Sequence, residues 1–178
     1  WLKKMRRIME LAEFTANLGL RVVESYWDVI TKIGVVETYY LGLTNQGVHN
    51  FYNGTIRVMS PNGKIEADFP PKDYLSFAGE HAVPHCYVTH LYYKPAGYPD
   101  GIWRANTLAR INVAERMATP RAQELLKDFR SKVGRPCHAT FAYHWTRLIE
   151  LVESVERARQ LLEDPQTVSQ DIKVEDVR

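Results

Sequence analysis

The chain has 178 residues, 45% of them hydrophobic and 25% charged, with a formal net charge of +2. That length can bury a sizeable core, and the composition suits a soluble globular class. The near-zero charge balance gives no reason to expect nucleic acid or an acidic membrane surface as a partner. Cys86 and Cys137 stand alone and far apart, which excludes a disulfide framework and a C-x-x-C metal or redox motif. No apolar run approaches the length of a membrane span and no secretory signal opens the chain, so a cytoplasmic location is expected.

Residues 1–33 read as a long helix with two adjacent apolar stripes. One runs Met5, Met9, Ala12, Ala16, Leu20, Val23, Trp27 and Ile30; the other runs Ile8, Leu11, Leu18, Val22, Tyr26, Val29 and Ile33. Two stripes imply burial from more than one side. Gly19 within this pattern costs about 1 kcal/mol of helix propensity relative to alanine, which a packing contact can offset. Gly34 is a natural stop.

From Thr38 to Phe69 the period changes to two, and the runs are separated by Asn45-Gln46-Gly47, Asn53-Gly54 and Pro61-Asn62-Gly63. These are hairpin signals, and an antiparallel meander is expected over 38–69. Pro71 to His81 suits a short helix. Residues 82–107 read as an ordered aromatic loop, because Pro84, Pro95, Gly97, Pro99 and Gly101 alternate with tyrosines and Trp103. Helices follow over Thr107–Met117 and over Pro120–Val133, the latter with Thr119 as N-cap and Gly134 as stop.

The stretch His138 to Asp164 predicts a second long helix of about 25 residues. Its apolar face comprises Phe141, Trp145, Leu148, Leu151, Val152, Val155, Ala158 and Leu162. Arg147, Glu150, Glu153, Glu156, Arg157, Arg159 and Glu163 fall on the opposite face, with Glu153 and Arg157 at the favourable four-residue spacing. The fold class is therefore mainly α with a small antiparallel meander (α+β), two long helices packed together and the sheet set to one side.

Chemistry-bearing motifs are scarce. No phosphate loop, dinucleotide fingerprint, H-E-x-x-H or nucleophile elbow is present. His81, His85, Cys86 and His90 are four potential metal ligands within ten residues. Pro84 disfavours the helix that would align His81 with His85, so the cluster reads as polar groups in an aromatic loop rather than a small metal-binding domain. Cys137, His138 and His144 read as capping or packing residues. Tyr87, Tyr92, Tyr93 and Tyr98 read as interface or core, since little basic charge accompanies them for base stacking.

Several blocks, in order, carry a family resemblance: Phe51-Tyr52-Asn53-Gly54 with Ile56-Arg57-Val58, Pro71-Lys72-Asp73-Tyr74-Leu75, Glu80-His81-Ala82-Val83 and Tyr92-Tyr93-Lys94-Pro95. Leu108-Ala109-Arg110-Ile111-Asn112-Val113, Thr119-Pro120-Arg121-Ala122-Gln123-Glu124 and His144-Trp145-Thr146-Arg147-Leu148-Ile149-Glu150 continue it. Together they resemble the middle of nickel-iron hydrogenase large subunits, in the cytosolic bidirectional branch with NAD-reducing hydrogenases and sulfhydrogenases. The chain departs from that family's pattern at Asn106-Thr107 (usually Gly-Pro), His85 (an aromatic), Cys86 (serine) and Thr89 (lysine).

The resemblance implies reversible splitting of H2 at a nickel-iron centre in a full-length parent. It also implies an iron-sulfur small subunit, and with it a diaphorase-type module, as partners, with electrons passing to NAD(P) or another carrier. That centre is held in the family by two C-x-x-C motifs, and neither is in this chain, so the chain reads as an internal segment that is inactive alone. No catalytic, cofactor-binding or metal residue is carried over, and neither nickel nor iron is expected to bind tightly. With segments missing from both flanks, the isolated chain is expected to be poorly soluble or loosely packed. The alternative is a non-enzymatic α+β module that binds a protein partner through its sheet edge or aromatic loop.

Overall fold

The computed structural model describes residues 1–170. Its first segment is helical, as the apolar periodicity predicts, but it is two helices, α1 (Leu2–Ser25) and α2 (Trp27–Lys32). Tyr26, at φ −111° and ψ 23°, leaves helical geometry and separates them. The break turns Trp27 edge-on to Trp145, with ring centroids 5.6 Å apart. Only one of the two stripes is covered. Met5, Ala12, Ala16, Val23 and Ile30 are buried, whereas Ile8, Leu11, Leu18, Val22, Val29 and Ile33 are all exposed.

The β-rich segment forms β1 (Tyr39–Asn45), β2 (Val48–His49), β3 (Thr55–Met59) and β4 (Ile65–Phe69). Gln46 and Gly47 have φ of 51° and 78°, as a two-residue hairpin with both central residues left-handed requires. The strands do not follow chain order as a meander would. β1 is flanked by β3 on one edge and by the two-residue β2 on the other, giving the order β2-β1-β3-β4. β2 is too short to template a third strand, so β3 returns to the free edge of β1, pairing Tyr40 with Met59 and Leu43 with Ile56.

The expected short helix over 71–81 is only half helical. A 3-10 turn at Pro71–Asp73 and the single turn α3 (Tyr74–Phe77) lead directly into β5 (Ala78–His81). The expected loop at 82–107 contains β6 (His90–Tyr93), antiparallel to β5, and β7 (Trp103–Arg104), parallel to β1 at Tyr39 and Tyr40. Aromatic residues pair well across strands, and no period-two pattern is long enough here to show it in sequence.

The remaining helices are α4 (Asn106–Val113), α5 (Pro120–Val133) and α6 (Ala142–Glu163). Asn106 adopts φ 75°, a left-handed conformation that asparagine tolerates, and its Oδ1 accepts the Thr107 N–H at 2.7 Å. α4 ends at Val113 because Arg130 and Arg135 take over its orphaned carbonyls. Arg130 donates to the carbonyls of Ile111 and Ala114 at 2.9 and 2.6 Å, and Arg135 to those of Asn112 and Val113 at 2.8 and 3.2 Å.

The core sits where α1, α4 and α5 close on α6. Trp145, Ile149 and Val152 of α6 meet Ala16 and Val23 of α1, Leu108 and Ile111 of α4, and Leu126 and Phe129 of α5. Trp145 is 1% exposed, and burying it contributes on the order of 4 to 6 kcal/mol. The two long helices thus pack together as the periodicity predicts, and the sheet lies beside them. One sheet face, through Tyr40 and Met59, joins Ala109 and Val113 of α4; the other, through Val58 and Phe69, meets Tyr93.

α6 itself departs from expectation in two ways. It begins at Ala142 rather than His138, since Ala139 instead bridges to Val35. Its buried side comprises Ala142, Trp145, Thr146, Ile149, Glu150, Val152 and Glu153, while Phe141 is exposed. At 100° per residue, that side is turned by roughly 120° from the expected apolar face. Residues 171–178 lie outside the described residues; Pro165–Val168 form a 3-10 turn.

Candidate functional site

The turned face of α6 carries two carboxylates into the protein, and they meet a histidine that no motif singles out. His49, the last residue of β2, has a side chain with no exposed surface. Its Nε2 is 3.1 Å from Glu150 Oε1 and its Nδ1 is 2.5 Å from Glu153 Oε2, the second contact being an ion pair rather than a well-aligned hydrogen bond. Glu150 is also gripped in fork geometry by Arg110 of α4, whose Nε and Nη2 donate at 2.8 and 2.7 Å. Glu153 Oε1 accepts the Ala118 N–H at 2.7 Å.

The tertiary path to this arrangement is short. The Gln46-Gly47 turn folds β2 back along β1, and the His49 N–H donates to the Arg116 carbonyl at 2.8 Å. That bond seats β2 between the end of α4 and α6. Phe51 then closes over the cluster, edge-on to His49 with centroids 4.6 Å apart and under the Arg110 guanidinium at 5.5 Å.

Electrostatics agree with the geometry. Burial disfavours a charged His49, but hydrogen bonds and charges from Glu150 and Glu153 outweigh it and raise its pKa above the ordinary histidine value. Burial likewise opposes ionisation of Glu150, yet the bonds from His49 and Arg110 prevail and lower its pKa. With His49 charged, two cations face two carboxylates. Beside the cluster lies a cavity of about 380 Å³, lined among others by His49, Phe51, Tyr52, Glu153, Arg157 and Leu161.

A third carboxylate on the same helix has a structural role. Glu156 accepts the Thr119 hydroxyl at 2.6 Å and the N–H groups of Arg121 and Ala122 at 3.3 and 3.2 Å. α5 is therefore capped from α6, not by the Thr119 side chain as the sequence predicts. The expected Glu153–Arg157 pair does not form, because Glu153 is engaged by His49 and Arg157 donates to Gln160 at 3.0 Å.

The residues weighed from sequence lie elsewhere. His81 stacks on Tyr98 with centroids 3.9 Å apart, and His90 Nδ1 is 3.3 Å from the Tyr98 hydroxyl. His85 stands edge-on to His90 at 6.4 Å, and Cys86 is exposed. Cys137 is buried; its N–H donates to Asn112 Oδ1 and its carbonyl accepts from Asn112 Nδ2, both at 3.0 Å. His138 Nδ1 is 2.6 Å from the Tyr40 hydroxyl, a packing role, and His144 lies on the exposed side of α6.

Sequence reasoning missed His49, Arg110, Glu150 and Glu153 as a group. The available signal was Ile149, an isoleucine beside the carboxylates that the expected apolar face left outside. Among the described residues no three His, Cys, Asp or Glu side chains converge to hold a metal ion. Two unpaired cysteines, one exposed and one buried, do not fit a nickel-iron centre or an iron-sulfur cluster. No helix of the described residues is long and apolar enough to cross a membrane.

No protein-family model matches the chain. It is 45% identical over 174 residues to the vhu-type F420-non-reducing hydrogenase subunit of Methanocaldococcus jannaschii, covering 98% of this chain and 42% of that protein. It is 32% identical over 190 residues to the F420-non-reducing hydrogenase iron-sulfur subunit of Archaeoglobus profundus, covering 96% of this chain and 39% of that protein. Its fold matches 39% of a chain in the crystal structure of an NAD+-reducing [NiFe]-hydrogenase in the H2-reduced state, with 97% of this chain covered, a TM-score of 0.89 and 29% identity.

The chain is thus similar to hydrogenase subunits and spans about two fifths of the length of these relatives. The expected nickel-iron large-subunit identity is corrected here. The Archaeoglobus relative is by name an iron-sulfur subunit.

Proposed function

We propose that this chain is a structural segment of a hydrogenase subunit, working within a multi-subunit enzyme that interconverts H2 with protons and electrons. The observation that supports this best is the similarity to an F420-non-reducing hydrogenase subunit over 98% of the chain, with 45% identity. Its partners are then other hydrogenase subunits. The similarity to F420-non-reducing enzymes supports an electron acceptor other than F420.

The segment's own contribution is positional. α6, held by α1, α4 and α5, is the rigid member, and the buried ion network fixes the edge of the sheet on it. Cofactor ligands would come from outside the described residues, among which no three His, Cys, Asp or Glu side chains converge. The similarity gives no support to the alternative of a free-standing binding module.

The test is to tag the polypeptide that carries this chain in its own host, purify it without denaturant, and measure H2-dependent reduction of a viologen dye. Co-purification with hydrogenase subunits and dye reduction are expected. A tagged protein isolated alone and inert to H2, with the host's H2-dependent dye reduction unchanged when the reading frame is disrupted, would refute the proposal.

A further inference from the structure

A neutral imidazole carries one N–H and one lone pair, so it can satisfy only one carboxylate. His49 faces two. Nε2 lies 3.1 Å from Glu150 Oε1 and Nδ1 lies 2.5 Å from Glu153 Oε2, and the ring is fully buried. Were His49 neutral, one nitrogen lone pair would face a carboxylate oxygen 2.5 to 3.1 Å away. Two carboxyl groups this close to one ring favour the doubly protonated imidazolium.

We propose that the His49 imidazolium is a proton-operated latch that holds β2 and the Asn50–Asn53 loop on α6, and that loss of its proton frees the loop and opens the adjoining cavity. Every element packed against the ring takes part. α6 supplies Glu150 and Glu153, α4 supplies Arg110, which neutralises Glu150 from its far side, and the segment after α4 supplies the Arg116 carbonyl and the Ala118 N–H. From the loop itself Phe51 lies against the ring, and Arg157 and Tyr52 line the cavity.

Deprotonation leaves Glu153 as the uncompensated charge, since Arg110 still serves Glu150. The least costly response is for Glu153 to reach water, and the cavity of about 380 Å³ on its flank is where water would enter. That movement strips the Ala118 N–H of its acceptor and uncovers the edge of Phe51. The loop's other ties are local or weak: Tyr52 and Asn53 donate their N–H groups to Asn50 Oδ1 at 2.7 and 3.0 Å, Asn45 Nδ2 reaches Asn53 Oδ1 at 3.5 Å, and Arg110 lies over Phe51. The latch is a property of this chain and does not depend on the proposed hydrogenase role.

The test uses the full-length polypeptide that carries this chain, purified with its partner subunits and labelled with 15N-histidine. Ring-nitrogen NMR shifts of His49 are followed from pH 6 to 10, alongside amide-exchange protection of His49 and Ala118. The proposal expects both ring nitrogens to be protonated at pH 7, and protection of both amides to fall at least tenfold as His49 titrates, while protection of Ile149 persists. Glu153→Gln should move the His49 titration at least one pH unit lower and bring the loss of protection with it. A neutral tautomer at pH 7 would overturn the proposal, as would amides whose protection ignores the titration.

Discussion

Gly19 of α1 lies directly against Leu148 of α6: a Cβ at position 19 would stand 2.6 Å from Leu148 Cδ1 and 2.9 Å from Cδ2. The absence of a side chain on one helix is what lets the two longest helices approach, so the propensity cost of a mid-helix glycine is offset at this contact. Gly19→Ile is expected to destabilise the chain by about 1 to 3 kcal/mol. Leu148→Ala in the same molecule should recover part of the loss, and a double-mutant cycle by urea denaturation reads the coupling. Simple additivity would show that the two positions do not share the contact.

The buried and the exposed ion pairs of α6 should differ sharply in worth. Glu150→Ala leaves Arg110 without its carboxylate and His49 Nε2 without an acceptor, in a site where the Glu150 side chain was only 8% exposed. A loss of roughly 3 to 5 kcal/mol is expected. Glu163→Ala breaks the Arg159–Glu163 pair, in which both side chains are about half exposed, and should cost less than about 1 kcal/mol. Chemical denaturation of the two variants side by side checks the ranking, and equal losses would contradict it.

Stability should depend on pH through the same network, with opposite signs on its two limbs. His49 has a raised folded pKa, so its contribution is full below the unfolded value of 6.5 and is lost as pH rises through the higher folded value. Glu150 has a lowered folded pKa, so its contribution is full above 4.5 and is lost as pH falls through the lower folded value. Denaturation midpoints should therefore be highest between those two reference values and decline on both sides. In His49→Phe the alkaline decline should be weaker, and its persistence at full size would assign it to another group.

The two cysteines should report the fold from opposite sides. Cys86 is exposed, whereas Cys137 is buried, with burial pushing its thiol pKa up. An aromatic disulfide reagent should label one thiol per chain in native buffer and two in denaturant. Rapid native labelling at Cys137, mapped by peptide mass, would show that the α4 to α6 junction opens readily.

How much of this was written in the chain alone differs from element to element. Helix and strand type followed from periodicity: the segments that hold α1, α5, α6 and the runs of β1, β3 and β4 have the type their spacing sets, though not always the bounds or the buried face, because a 3.6 or 2.0 residue period is a local property. Strand order, the pairing of β7 with β1, and the β5-β6 hairpin were not legible, since two-to-four-residue strands carry no period and register depends on what the other edge offers.

The candidate site was the least legible part. Hydrophobicity assigned Glu150 and Glu153 to solvent, and only the arrival of His49 and Arg110 from 101 and 40 residues away makes their burial tolerable. A carboxylate reads as a surface residue until its counter-charges are known, and those are set by the tertiary fold. So periodicity and spacing determined the elements, and matching blocks of sequence the likeness to hydrogenase subunits. The packing of α4, β2 and α6 decided which face of the central helix is inside.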